Sequence, residues 1–155
     1  IQIAHEVGIK VKGFFIVGLP TSTYEDELAN IKFFKEMNID IPRFGILMLY
    51  PKTDMYDTIR NNEKVLVEDL EEAHNRLSET AGDLADYGMM KPLYETKDMS
   101  AEQMMKALLI CNKEADKWAL QKMFGKPFGY IAWQFSKIKS IRSLGSKLLE
   151  AMGLI

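Results

Sequence analysis

At 155 residues and 17.8 kDa, the chain is one domain's worth of sequence or a segment of something larger. With 47% apolar and 27% charged residues it can bury a core, which excludes wholesale disorder, and no run approaches the roughly 20 apolar residues that a membrane-spanning helix needs. A net charge of -2 speaks against a chain built as a whole to bind nucleic acid, and a single cysteine, Cys111, excludes an internal disulfide or a several-thiolate metal site made by this chain alone.

Charge is unevenly spread. Residues 54–102 hold 13 acids against 5 lysines or arginines, whereas residues 117–147 hold 7 basic residues and no acid. A basic tail of this kind suits phosphate or a lipid surface, although a solvated helix face is the simpler reading. The first residue is Ile1 and no signal-peptide arrangement follows, so a cut end of a longer, cytoplasmic protein is expected.

In chain order, residues 1–7 read as the last turns of a helix stopped by Gly8. Gly13 to Val17 is a short apolar run rich in aromatic and branched residues, ending in Gly18-Leu19-Pro20. That pattern predicts a strand buried on both faces. Ser22 and Thr23 offer N-caps, with Glu25 and Asp26 three residues on. Leu28, Ile31, Phe34 and Met37, with Phe33 beside them, then predict an amphipathic helix over 24–37, closed by Asn38. Arg43 to Leu49 predicts a second buried strand, ended by Tyr50-Pro51.

Strand, helix and strand within about 40 residues is a βαβ unit with parallel strands. The C-terminal ends of both strands then share one edge, so Gly18-Leu19-Pro20 and Tyr50-Pro51-Lys52-Thr53 should be neighbours. In open α/β sheets and β/α barrels that edge is where ligands bind.

After residue 53 the pattern turns helical. A short helix is predicted over 54–60 and a longer one over 67–87, with Leu70, Ala73, Leu77, Ala81 and Leu84 on one face and Gly88 at its end. Residues 89–96 form a connector, and Ser100 with Gln103 opens a helix that runs to about Phe124. Gly125, Pro127 and Gly129 break the chain before a last helix to about Met152, with Phe128, Ile131, Phe135 and Ile138 in its seam. Two parallel strands buried on both faces need further strands beside them, from a larger chain or from a second copy.

The residues from Gly8 to Asp57 resemble the late part of a radical S-adenosylmethionine enzyme, in the cobalamin-binding branch that includes the anaerobic oxidative cyclase of magnesium-protoporphyrin IX monomethyl ester. In that branch a G-x-x-x-x-G-L-P-G-E-T phrase ends one barrel strand and a P-Y-P-G-T-x-x-Y phrase ends the next; here they stand as Gly13 to Thr23 and Leu49 to Tyr56. The resemblance covers residues 1–60 and continues more weakly from Pro92 to Leu154 as a helical C-terminal extension. It implies an α/β fold, the C-terminal βαβ portion of a partial TIM-like (β/α) barrel. Residues 1–60 would supply the late barrel strands and helices, and residues 61–155 the extension.

The resemblance also implies a cofactor and its contacts. Phe15, Ile16, Val17 and Gly18, with Leu49 and Tyr50, occupy the positions that touch the adenosyl part of S-adenosylmethionine. In the family a reduced 4Fe–4S cluster cleaves that cofactor to a radical that abstracts hydrogen from substrate. The implied parent activity is oxidative cyclisation, or methylation by a cobalamin-dependent relative, of a tetrapyrrole-like or other large substrate. Three departures stand out: Thr21 and Ser22 replace the glycine and glutamate of the first phrase, and Lys52 replaces the glycine of the second. The Cys-x3-Cys-x2-Cys cluster motif is absent, so the chain is expected to be inactive alone, with cluster and cobalamin held elsewhere in its own polypeptide. No catalytic residue and no metal ligand is assigned.

Other residues have plainer readings. His5 and His74 have no second ligand at zinc spacing, and Cys111 in an apolar stretch reads as a structural thiol. The 10 methionines read as core filling, although Met48 and Met55 near the ligand edge suit a groove for a large apolar substrate. The aromatic residues of the last helix suit packing against the outside of a barrel more than a lid or a membrane surface. A self-standing α/β module that binds a ligand or a protein partner is the alternative, with the Gly-Leu-Pro loop serving only as a turn.

Overall fold

The computed structural model describes residues 1–73 and 91–136, with side chains as far as residue 134. The greater part of the helix expected over 67–87, His74, Met89 and Met90, and the last helix beyond residue 136 lie outside the described residues.

A first helix, α1 (Gln2–Glu6), ends where Gly8 takes a φ of 79°. Strand β1 (Lys12–Val17), helix α2 (Tyr24–Glu36) and strand β2 (Ile41–Ile46) follow as the expected βαβ unit. The strands are parallel, in register from Lys12 opposite Ile41 to Val17 opposite Ile46. Of the two candidate caps, Thr23 forms the box: its hydroxyl accepts the Asp26 N–H and the Asp26 carboxylate accepts the Thr23 N–H. Local chemistry thus starts α2 before any packing is considered.

Helix α3 (Asp54–Asn62) is capped by Thr53 and leads into a short strand, β3 (Lys64–Val65). A helical turn occupies residues 70–73. Strand β4 (Tyr94–Glu95) pairs antiparallel with β3. Helix α4 (Ala101–Phe124) opens on a capping box of Ser100 and Gln103 and ends at Gly125, followed by α5 (Lys126–Ser136). Pro127 and Gly129, expected as breakers, lie inside α5. Proline in a first turn forfeits no helical hydrogen bond. A Cβ on Gly129 would stand 2.4 Å from the Gln121 Cα, so this glycine is what lets α5 approach α4 closely.

Both α2 and α4 cover one face of the βαβ sheet. Phe15 stacks on Phe44 with ring centroids 4.7 Å apart, and Phe34 of α2 meets both rings edge-on at 6.3 and 6.1 Å. Trp118 of α4 packs on Phe34, and its indole N–H donates to the Ile39 carbonyl at 2.6 Å. One core runs from Val17 through Leu49, Ile59, Tyr94 and Leu108 to Ala115. Each large apolar side chain buried there contributes about 1.5–3 kcal/mol.

Three expectations change. First, β1 is covered on one face only: Phe14 is 74% and Ile16 49% exposed, because side chains alternate and no described element lies against their side. Second, the second strand spans residues 41–46, not 43–49, and so includes Pro42. Pro42 fits because alternate residues of a parallel strand point to opposite edges, and residues 42 and 44 face away from β1. There the Asn112 amide completes the edge: its oxygen accepts the Phe44 N–H and its nitrogen donates to the Phe44 carbonyl, each at 3.1 Å. Third, the α2 stripe is displaced: Met37 and Phe33 are exposed, while Glu27 joins Phe34 in the interior. Among the described residues the fold is mixed α/β with two two-stranded sheets and no closed barrel.

Candidate functional site

The two strand ends meet at one edge, as their parallel pairing requires. The Leu47 N–H donates to the Val17 carbonyl at 3.0 Å, one residue beyond the last strand pair. Directly after Val17 comes Gly18, buried and with a φ of 91° that favours glycine. Its N–H donates to Glu27 Oε1 at 3.1 Å, and its carbonyl accepts the Tyr94 hydroxyl at 2.7 Å. A Cβ at Gly18 would lie 3.0 Å from the Met104 sulfur and 3.1 Å from the Tyr94 oxygen, so a larger residue would press on both side chains as well as strain the left-handed backbone.

Glu27 is 1% exposed. Burial raises its pKa above the ordinary carboxylate range, partly offset by the Gly18 N–H and the Ser22 hydroxyl, while the Asp26 charge adds to the rise. The Cys111 thiol donates to the Glu27 backbone carbonyl at 3.4 Å, and burial, with the Glu27 charge second, pushes that thiol up to about 12. Cys111 is therefore no thiolate at neutral pH. Burial likewise pushes the Tyr94 hydroxyl up, with Glu27 and Glu63 adding to it, so it remains a donor.

The loops beyond the strands carry two non-glycine residues in left-handed backbone, Thr21 at φ 72° and Lys52 at φ 67°. These are the two positions where the resembling phrases have glycine. The departures therefore leave the turn conformation glycine-like, at about 1–2 kcal/mol each, and Lys52 sets an exposed cation on the second loop.

The six positions carried over from the resemblance separate into two groups. Phe15, Val17 and Leu49 commit their side chains to the core, and Gly18 is buried among them. Ile16, on the open face with Phe14, and Tyr50, 56% exposed, present theirs to the outside. Ile16 and Tyr50 thus give exposed apolar surface after the strands, while the N–H and carbonyl of Gly18 are already bonded within the chain. Cluster ligands do not fit: the one cysteine is buried and protonated, and among the described residues no group of three His, Cys, Asp or Glu side chains converges.

Sequence reasoning missed Glu27 and Tyr94. An acid on the apolar stripe of α2 was the available clue for Glu27; Tyr94, in an unpatterned connector, offered none. It missed a second cluster too, at the opposite end of the strands. Asp40 accepts His5 Nε2 at 2.7 Å, the Val11 N–H at 2.8 Å and Lys122 Nζ at 3.2 Å. This ties α1 and α4 to the starts of both strands and lies away from the ligand edge.

No family model matches the sequence. A 63-residue stretch is 38% identical to an uncharacterized methyltransferase of Pyrococcus horikoshii, covering 40% of this chain and 14% of that protein. A 71-residue stretch is 31% identical to the bacteriochlorophyllide d C-8(2)-methyltransferase of Chlorobaculum tepidum, covering 46% of this chain and 16% of that protein. The matched part is thus less than a fifth of either relative. No solved structure gives a significant match. No helix among the described residues is long and apolar enough to cross a membrane.

Proposed function

We propose that the chain acts as the late segment of a radical S-adenosylmethionine enzyme. Residues 1–60 would close one side of a partial β/α barrel, and residues 61–155 would form its C-terminal extension. The observation that carries this reading is the paired strand ends: β1 ends at the buried Gly18, β2 leads to the exposed Tyr50, and both following loops keep glycine-type turns at Thr21 and Lys52. The partial barrel draws support from the sheet's two sides. Asn112 closes the β2 edge, whereas among the described residues nothing pairs with the outer edge of β1 or covers its Phe14–Ile16 face.

S-adenosylmethionine, when bound, supplies the methyl or adenosyl chemistry. This chain's residues bind and orient it: Ile16 and Tyr50 offer apolar contact, Gly18 lets the chain turn at the end of β1, and Leu49 and Val17 hold the segments after the strands from beneath. The 4Fe–4S cluster and cobalamin would be held by the remainder of the same polypeptide, its partner in this reading. Methyl transfer to a large tetrapyrrole-like substrate is favoured over oxidative cyclisation, because both similar proteins are methyltransferases and one acts on a bacteriochlorophyllide.

The test is S-adenosylmethionine affinity in the parent enzyme, measured by calorimetry. Gly18→Val is expected to weaken binding at least about tenfold more than Cys111→Ala, a difference of 1.4 kcal/mol; equal affinities refute the assignment. A second reading, the self-standing α/β module, draws on the core that, among the described residues, joins the βαβ unit to β4 and α4. A monodisperse, cooperatively unfolding monomer with no response to S-adenosylmethionine would favour it.

A further inference from the structure

Resting on the adenosyl reading of the strand-end edge, we propose that Glu27 and Tyr94 are positioning residues that fix the peptides on either side of Gly18, so that the segment beyond residue 90 sets how this loop meets its ligand. Glycine in left-handed backbone has neighbouring conformations open to it, so Gly18 does not choose its peptide orientations unaided. Two side chains from different elements make the choice. Glu27, on α2, takes the N–H, and Tyr94, on β4, takes the carbonyl 76 residues away in sequence.

The consequence for a ligand follows from peptide planarity. In a trans peptide the C=O and the next N–H point in opposite directions, and the chain has no described cis bond. A Gly18 carbonyl held toward Tyr94 therefore sends the Leu19 N–H away from the core. Leu19 is 37% exposed, and among the described residues its N–H has no acceptor. A backbone donor thus faces outward at the strand end, where a ring nitrogen or a hydroxyl oxygen of an adenosyl group can accept from it.

The Gly18 N–H also gives a reason for an acid to be buried at position 27. An apolar residue would pack there without the desolvation that Glu27 suffers, but it would leave the Gly18 N–H without an acceptor. Met104 of α4 lies against the same glycine, so both β4 and α4 bear on the loop. The extension thereby acts on the ligand edge through Gly18 rather than by touching the ligand.

The test combines amide hydrogen exchange on the 155-residue chain with S-adenosylmethionine affinity in the parent enzyme. Glu27→Leu is expected to speed exchange of the Gly18 amide at least about tenfold, while Glu27→Gln, whose amide oxygen still accepts, stays near the wild-type rate. Tyr94→Phe is expected to shift the Leu19 resonance and weaken S-adenosylmethionine about tenfold. Its loss of melting temperature should be no greater than that of Ile59→Val, a core change on α3. A role confined to packing gives the reverse order at position 27, with the leucine variant more stable and the tighter binder, and that result overturns the proposal. An unchanged Gly18 exchange rate in Glu27→Leu overturns it too, whatever the ligand. If the exchange pattern holds but wild-type enzyme shows no S-adenosylmethionine response, the adenosyl reading beneath the proposal falls instead.

Discussion

Two carboxylates, Glu27 and Asp40, are driven in opposite directions by their surroundings. Glu27 is raised by burial, which its two hydrogen bonds only partly offset. Asp40 is also penalised by burial, but the Val11 N–H, His5 and Lys122 together outweigh that and hold it below the ordinary range. The stability signs follow from linkage. A raised acid stabilises fully below its unfolded value and loses that contribution as pH rises through its folded value. A depressed acid contributes above its unfolded value and loses it as pH falls through its folded value. Glu27→Gln should therefore match the wild type near pH 4 and become progressively the more stable of the two as pH rises toward 8. Urea denaturation at several pH values measures this, and a constant difference would show that Glu27 titrates normally.

Among the elements, α2 and α4 differ in how openly they declare themselves. Both begin on capping boxes, Thr23 with Asp26 and Ser100 with Gln103, and such boxes need only residues three apart. Their starts were legible for that reason. What α4 does was not legible, since Asn112 completes the β2 edge from 68 residues away. An asparagine in the middle of a helix reads as a solvated polar position until the fold brings Phe44 beside it. Asn112→Leu removes both hydrogen bonds and leaves buried backbone groups unpaired, which should cost about 1–3 kcal/mol in chemical denaturation. A loss under about 0.5 kcal/mol would show that water replaces the amide at that edge.

Among the described residues, the βαβ sheet has one finished side and one open side. Helices α2 and α4 cover the inner face of the sheet and Asn112 closes β2, while among the described residues the other edge of β1 is unpaired and Phe14 and Ile16 are exposed. Exposed apolar residues along an open strand edge favour association. Isolated chains are expected to self-associate with rising concentration in sedimentation velocity, and Phe14→Lys should reduce that association. If both proteins sediment as the same monomer throughout, the open face is not sticky and needs no further strands.

The sequence was sufficient for whatever depends on near neighbours: the βαβ order, the parallel pairing that sets Gly18 just past β1, the capped starts of α2 and α4, and α4 ending at Gly125. Periodicity, capping and turn chemistry act over a few residues and can be read along the chain. Folding had to settle which face of β1 is covered, which acid enters the core, and which partners hold Gly18. Those depend on contacts from Gly18 to Tyr94, His5 to Asp40 and Phe44 to Asn112, residues 35 to 76 apart. Burial and hydrogen bonding across such separations follow from the path of the chain in space, and no local pattern records it.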